Sequence, residues 1–203
     1  MPIEDILITY ENKSKDPYYA NYSPLQCAIF DGALEDAQAL MQHYKANKTL
    51  NDQLSFVAND TKENILQIAI KHPKVLEYCC QTIKGANPWL FTKLVEHKDI
   101  GQDNLFHQIV EFGRVESFKL LKPVLDTYVR PGKVQELWLQ KNEHKETPAD
   151  ILHNYEGSKT IQQMQAKNYI TPEDAKAASK CRTNLEAEFQ EILPEPPKTG
   201  MSM

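Results

Sequence analysis

The side chains best suited to covalent or metal chemistry are four cysteines, Cys27, Cys79, Cys80 and Cys181, together with six histidines. No CxxC pair occurs, so the spacing builds neither a zinc site nor a dithiol redox motif. Cys79 and Cys80 are adjacent and cannot easily chelate one metal. Cys27 and Cys79 fall on apolar stripes, where a free cysteine acts as a small hydrophobe. Cys80 is expected to be more exposed, but nothing beside it in sequence would lower its pKa. The seven glycines never cluster, which leaves no phosphate-cradling loop, and neither HExxH nor GxSxG is present. The reading is therefore no catalytic residue, no cofactor and no metal. Catalytic partners meet in space, not in the chain, so the alternative is a Cys- or carboxylate-based hydrolase or protein modifier with its site assembled in inserted segments.

Repetition is the stronger signal. Leu54, Leu94 and Leu137 each precede an anchor, Leu66, Phe106 and Ala149, by twelve positions. Asn59, Asp99 and Asn142 stand seven before those anchors; Glu63, Asp103 and Glu146 stand three before, and Asn64, Asn104 and Thr147 two before. Ser23-Pro24-Leu25 supplies an earlier anchor, and the anchors at 25, 66, 106 and 149 lie 41, 40 and 43 residues apart. Each unit reads as two short helices. Leu25, Ala28 and Ile29 form one stripe and Leu34, Ala37, Leu40 and Met41 the next, separated by Gly32; Phe106, Ile109 and Val110 are likewise separated by Gly113 from Val115, Phe118, Leu121 and Leu125. Glycine suits that place because a tight interhelical turn calls for positive φ. Pro73 holds it in the second unit, and Gly157 falls one position late in the fourth.

Ser23-Pro24-Leu25-Gln26-Cys27-Ala28 through Gly32, and Thr147-Pro148-Ala149-Asp150 with Ile151-Leu152, resemble the Thr-Pro-Leu-His…Ala-Ala…Gly pattern of the ankyrin-repeat family. His107 holds the family's His place, with Gln26, Gln67 and Asp150 as substitutes, and Asn59, Asp99 and Asn142 match its fingertip Asp. The chain departs from the family at the glycine expected four residues before each anchor, which is Lys62, Gln102 or Lys145. Its longer period alone would also suit a HEAT or armadillo solenoid. The extra residues include Pro88-Trp89-Leu90-Phe91 and the segment from Val134 to Leu139, which look like added helical turns. The resemblance implies an all-α, ankyrin-like α-solenoid of about four helix-turn-helix repeats spanning 23–167.

The resemblance further implies protein–protein interaction. In the ankyrin pattern the positions five and six past each anchor face a concave groove; here they are Phe30 and Asp31, Lys71 and His72, Glu111 and Phe112, and Asn154 and Tyr155. The fingertips present Asp60, Ile100, Glu143 and His144, with Glu63, Asp103 and Glu146 just behind. Aromatics flanked by carboxylates suit a partner segment with apolar anchors and some basic charge. The competing reading packs Phe30, Phe112 and Tyr155 against the inserted turns that carry Trp89 and Trp138.

Residues 1–22 form an N-terminal cap or loop, 168–193 a C-terminal capping helix opened by Thr171-Pro172-Glu173-Asp174, and 194–203 a disordered tail. Glu186, Glu188, Glu191 and Glu195 crowd the C-terminus. This is similar to the glutamate-rich export signals of effectors delivered by type IVB secretion systems of intracellular bacteria, which implies a host protein as partner. A net charge of −5 with no Lys/Arg run longer than two argues against nucleic acid. No apolar run is long enough for membrane insertion. A monomer is expected, cytoplasmic or secreted into the host cytosol.

Overall fold

A computed structural model describes residues 1–19, 21–167 and 169–190, the side chains of Pro131 and Gln190 excepted. Their regular elements are all helices apart from one isolated bridge, Val57 to Asn64. The helices are α1 (Ile3–Lys13), α2 (Pro24–Phe30), α3 (Leu34–Ala46), α4 (Leu50–Ser55), α5 (Ile65–Ala69), α6 (Pro73–Ala86), α7 (Pro88–Glu96), α8 (Leu105–Glu111), α9 (Val115–Tyr128), α10 (Pro131–Trp138), α11 (Pro148–His153), α12 (Lys159–Ala166) and α13 (Pro172–Gln190), with a 3-10 turn at Pro17–Tyr19. None is long and apolar enough to cross a membrane.

The short helices α2, α5, α8 and α11 start on equivalent caps. Ser23, Asn64, Asn104 and Thr147 each accept from the backbone three residues on, and the side chain at that third position returns the bond. The residue four before each anchor keeps positive φ without glycine: Asn21 at 57°, Lys62 at 59°, Gln102 at 62° and Lys145 at 64°. The left-handed turn thus recurs in all four units although none of the four residues is glycine. Its cost, of order 1–2 kcal/mol per residue, is offset by turn hydrogen bonds such as Gln102 N to Asp99 O at 3.1 Å and Lys145 N to Asn142 O at 3.0 Å. In the second unit the matching bond runs from Lys62 N to Ala58 O, one residue further back. Ala58 therefore takes the structural place expected for Asn59, which is exposed.

The units are joined by side chains that reach the next unit's backbone. Gln26 and Gln67 donate to the carbonyls of Glu63 and Asp103 at 3.4 and 3.1 Å, and His107 Nε2 meets that of Glu146 at 3.1 Å. The cap residues Asn64 and Asn104 donate to the carbonyls of Leu94 and Leu137 at 2.8 and 2.7 Å. Those two leucines lie in α7 and α10, so each inserted helix supplies a carbonyl that a buried cap residue satisfies. The column of leucines twelve before the anchors is apolar because Leu54, Leu94 and Leu137 are all buried in the core.

The short helices stack α2 on α5, α5 on α8 and α8 on α11, while α3, α6 and α9 form the outer row. One continuous apolar core runs from Ile6 to Phe189. At its C-terminal end the arrangement differs from the expected one. Helix α12 bonds to the loop before α11, and it is α13 that packs on α8 and α9. The cap at Thr171 matches the sequence reading, with Asp174 N donating to Thr171 Oγ1 at 3.1 Å. Phe189 stacks on Trp138 at 3.7 Å between centroids and lies 4.1 Å from Phe118. Trp138 is buried, whereas Trp89 is 82% exposed, so the two inserted turns play unlike parts.

Candidate functional site

Loop tips of successive units hold one another through the main chain. Ile100 N donates to Thr61 O at 2.9 Å and Glu143 N to Gly101 O at 3.0 Å, while Asn21 Nδ2 reaches Asp60 Oδ2 at 2.7 Å. This sets Asp60, Ile100 and Glu143 in one row with exposed side chains, and Ile100 is 65% exposed. His144 is turned aside to Gln163 at 2.6 Å and is partly buried. The acids behind the tips serve as ties. Glu63 accepts from the Tyr22 hydroxyl, Asp103 from Asn142 at 2.8 Å, and Glu146 from Ser158, Lys159 and Thr160 at the start of α12.

The positions five and six past the anchors converge on the inner helix ends, with several of them enclosed. Glu111 and Tyr155 are only 2% and 3% exposed, so neither offers its side chain to a partner from outside. The Tyr155 hydroxyl donates to Glu111 O, and His72 Nε2 meets Phe30 O at 2.9 Å. Both are the same device: a side chain six past one anchor ties the helix end of the preceding unit. Phe30 packs edge-on against Tyr18 and Tyr19, at 5.9 and 5.8 Å, and against Tyr22. For Phe30 the neighbours are thus the N-terminal tyrosines and not the inserted turns of the competing reading. Asp31 pairs with Lys13 and accepts from Tyr19. Asn154 is exposed beside Gly157.

Between these ends lies a cluster of buried charged groups with shifted pKa values. The Lys71 ammonium sits over the Phe30 ring at 4.9 Å and the Phe112 ring at 5.2 Å. Burial lowers its pKa, opposed by Glu63 and reinforced by Arg114. Glu111 is pushed well above the ordinary carboxylate range, first by burial and then by Asp103, Asp99, Glu146 and Glu63. Burial also raises Asp99 to about 6, against hydrogen bonds from Asp103 N and Gln108. Asp103 rises to about 7 through burial and the Asp99 charge. Arg114 is lowered by burial, with Asp174 opposing. Glu111 Oε1, Arg114 Nε and Gln108 Oε1 are buried without a hydrogen-bond partner.

Arg114, Asp174 and Cys181 join this ground although the sequence reading did not single them out as site residues. Arg114 follows the Gly113 turn directly, which was a usable signal; Asp174 and Cys181 arrive only because α13 folds back onto α8. Cys80, expected to be more exposed, is 5% exposed. Burial pushes its thiol and that of Cys27 up to about 12, and raises Cys79 as well, so these three stay protonated at neutral pH. Of the C-terminal glutamates, Glu186 pairs with Arg182 at 3.4 Å and His153 at 3.7 Å; Glu191 and Glu195, with the tail to residue 203, lie outside the described residues. Among the described residues no group of three or more His, Cys, Asp or Glu side chains is placed to hold a metal. A scan against protein-family models and a search of curated proteins each found no match to the chain.

Proposed function

We propose that the chain is an ankyrin-type solenoid whose task is to bind another protein, with its loop tips and the inner aromatic stripe as the contact surface. The observation that carries this reading is the row of tips: the main chain fixes the spacing of Thr61, Ile100, Gly101 and Glu143, while the side chains of Asp60, Ile100 and Glu143 are exposed, Asp60 held by Asn21 and Glu143 beside His144. Four equivalent capping boxes and four equivalent positive-φ turns support the ankyrin assignment despite the long period. Phe30, Lys71 and Phe112 extend the surface inward, partly exposed and alternating apolar with cationic character. His72 and Tyr155 serve this reading as ties between units, not as contacts.

Affinity capture from a eukaryotic lysate, read by mass spectrometry, tests it. The wild-type chain is compared with Ile100→Asp and with Phe30→Ala plus Phe112→Ala, each checked for native helicity. Partners lost from a folded variant support the surface, and full retention by both variants overturns it. The glutamate-rich end extends the proposal to delivery into a host cell. Removal of residues 191–203 is the informative truncation, because cutting at 186 would also remove Phe189 from the core. Undiminished delivery would refute the export signal.

A further inference from the structure

We propose that the cleft between the ends of α5 and α8 and the chain from Tyr169 to Cys181 binds an organic carboxylate, with Lys71 and Arg114 holding the anion and Phe112, Ile170 and Cys181 enclosing a small apolar body. The cleft has a volume of about 340 Å³, enough for a ligand the size of one or two amino-acid residues. It is separate from the loop tips but shares Lys71 and Phe112 with the inner stripe, and its test reads carboxylate binding directly, without a protein partner.

Unspent bonding capacity is the main argument. Lys71 has two ring faces beneath its ammonium but no ion pair among the described residues, and the buried Nε of Arg114 has no acceptor. Glu111, 2% exposed, lines the same cleft with Oε1 unpartnered. Native proteins rarely leave such groups orphaned, and clusters of them mark places where a ligand completes the set. The other acid in the wall, Asp174, already has its Oδ2 occupied by the Thr171 amide and hydroxyl at 3.2 and 2.9 Å.

The sign of the ligand follows from the same groups. Lys71 and Arg114 line the space, and burial with the surrounding acids raises the pKa of Glu111, which favours its neutral, donating form. Lys71 and Arg114 bring more donors than Asp174 engages, a set that suits a carboxylate, which accepts several hydrogen bonds at once. A cationic ligand would meet repulsion from Lys71 and Arg114 that Asp174 offsets only in part. Inorganic phosphate matches the donors, but it leaves the apolar wall of Phe112, Ile170, Ala177 and Ala178 uncovered. The acid can come from a free metabolite-sized molecule or from the C-terminus of a polypeptide.

Titration of the full chain with N-acetyl-leucine, N-acetyl-leucinamide, inorganic phosphate and a pentapeptide ending in leucine separates these cases, followed by amide NMR shifts and calorimetry. The acid should bind saturably and the amide about tenfold or more weaker, the loss of a charge-assisted bond. Lys71→Met and Arg114→Gln, each confirmed as folded, should each weaken the acid by about tenfold or more, whereas Glu111→Gln keeps a donor and should stay within a few-fold. A pentapeptide that binds tighter than N-acetyl-leucine identifies a polypeptide terminus as the source, and equal affinity identifies a free small acid. The proposal is overturned if the amide or phosphate binds as well as the acid, if neither cation variant weakens binding, or if no acid shifts the cleft residues at concentrations on the order of 10 mM.

Discussion

The two ends of the array close in opposite ways. At the N-terminal end Phe30 lies among Tyr18, Tyr19 and Tyr22, and the neighbouring polar groups find partners: Tyr22 with Glu63, Tyr19 and Lys13 with Asp31, Tyr10 with Asp36 at 2.9 Å. At the C-terminal end α13 seals the core through Phe189, yet Gln108, Glu111, Arg114 and Trp138 each keep a buried polar atom without a partner. Only Gln53 shares that condition elsewhere among the described residues. One end is finished as structure. The other combines the tightest aromatic packing with the least satisfied polar groups, the combination expected where stability and binding share an element.

The largest effect should come from breaking the C-terminal seal. Phe189→Ala removes a ring that touches Trp138, Phe118 and Phe106, and should cost about 3–5 kcal/mol in urea unfolding. Tyr18→Ala at the opposite end removes a ring that is 71% exposed and should cost less than about 1 kcal/mol. Equal losses would mean that α13 does not carry the seal.

Next in size is the paired test at the two interhelical glycines. Gly32 and Gly113 have φ of 70° and 61°, so alanine strains both turns by about 1–2 kcal/mol. Their surroundings differ. A Cβ on Gly113 would lie 2.6 Å from the Ala178 backbone Cα, whereas on Gly32 it would meet the His72 ring at 2.6 Å, a side chain that can swing away. Gly113→Ala should therefore destabilise more than Gly32→Ala, by about another 1–3 kcal/mol, and should displace α13. Thermal unfolding with amide NMR of α13 reads both outcomes.

A third contrast is electrostatic. Acids with raised folded pKa bind protons that the unfolded chain releases, so their contribution is present at low pH and lost as pH rises through the folded value. Asp99 at about 6, Asp103 at about 7 and Glu111 above the ordinary range all act in this direction. His107, held down to about 4 chiefly by burial, acts oppositely, losing stability as pH falls from the unfolded value of about 6.5. Above that value the acids act unopposed by His107, and Tm should rise as pH is lowered from 8 to 6.5. Glu111→Gln should raise Tm at pH 8 more than at pH 6.5. A pH-independent difference would show that Glu111 is already ionised in the folded chain.

Much of this frame was legible because local chemistry repeats. The caps at Ser23, Asn64, Asn104 and Thr147 and the break at Pro73 follow from residue types at fixed spacing, whereas the bonds of Gln26 and Gln67 to the next unit came only with the structure. Positive φ at Lys62, Gln102 and Lys145 was hidden, since those residues have no bias toward it and the turn is imposed by hydrogen bonds around them. The roles of Trp138 and Trp89 were also hidden: both sit in short amphipathic segments, and only the arrival of Phe189 from far along the chain decides which is buried. The cleft was half visible. Lys71, Glu111 and Phe112 stand at positions that the ankyrin resemblance assigns to a groove, but the wall from Tyr169 to Cys181 depends on where α13 lands.

The smallest expected effect tests the device that both halves share. Tyr155 and His72 occupy equivalent positions and tie the carbonyls of Glu111 and Phe30. The bond to Glu111 O is buried, so Tyr155→Phe leaves that carbonyl with less access to water and should cost about 1–1.5 kcal/mol. The bond to Phe30 O is only partly buried, so solvent replaces it in His72→Leu and the cost should stay near or below about 0.5 kcal/mol. Chemical unfolding of the two variants decides the order. The reverse order would mean that the N-terminal junction depends more on its inter-unit tie than the C-terminal one, and would move the weaker joint to the tyrosine-lined end.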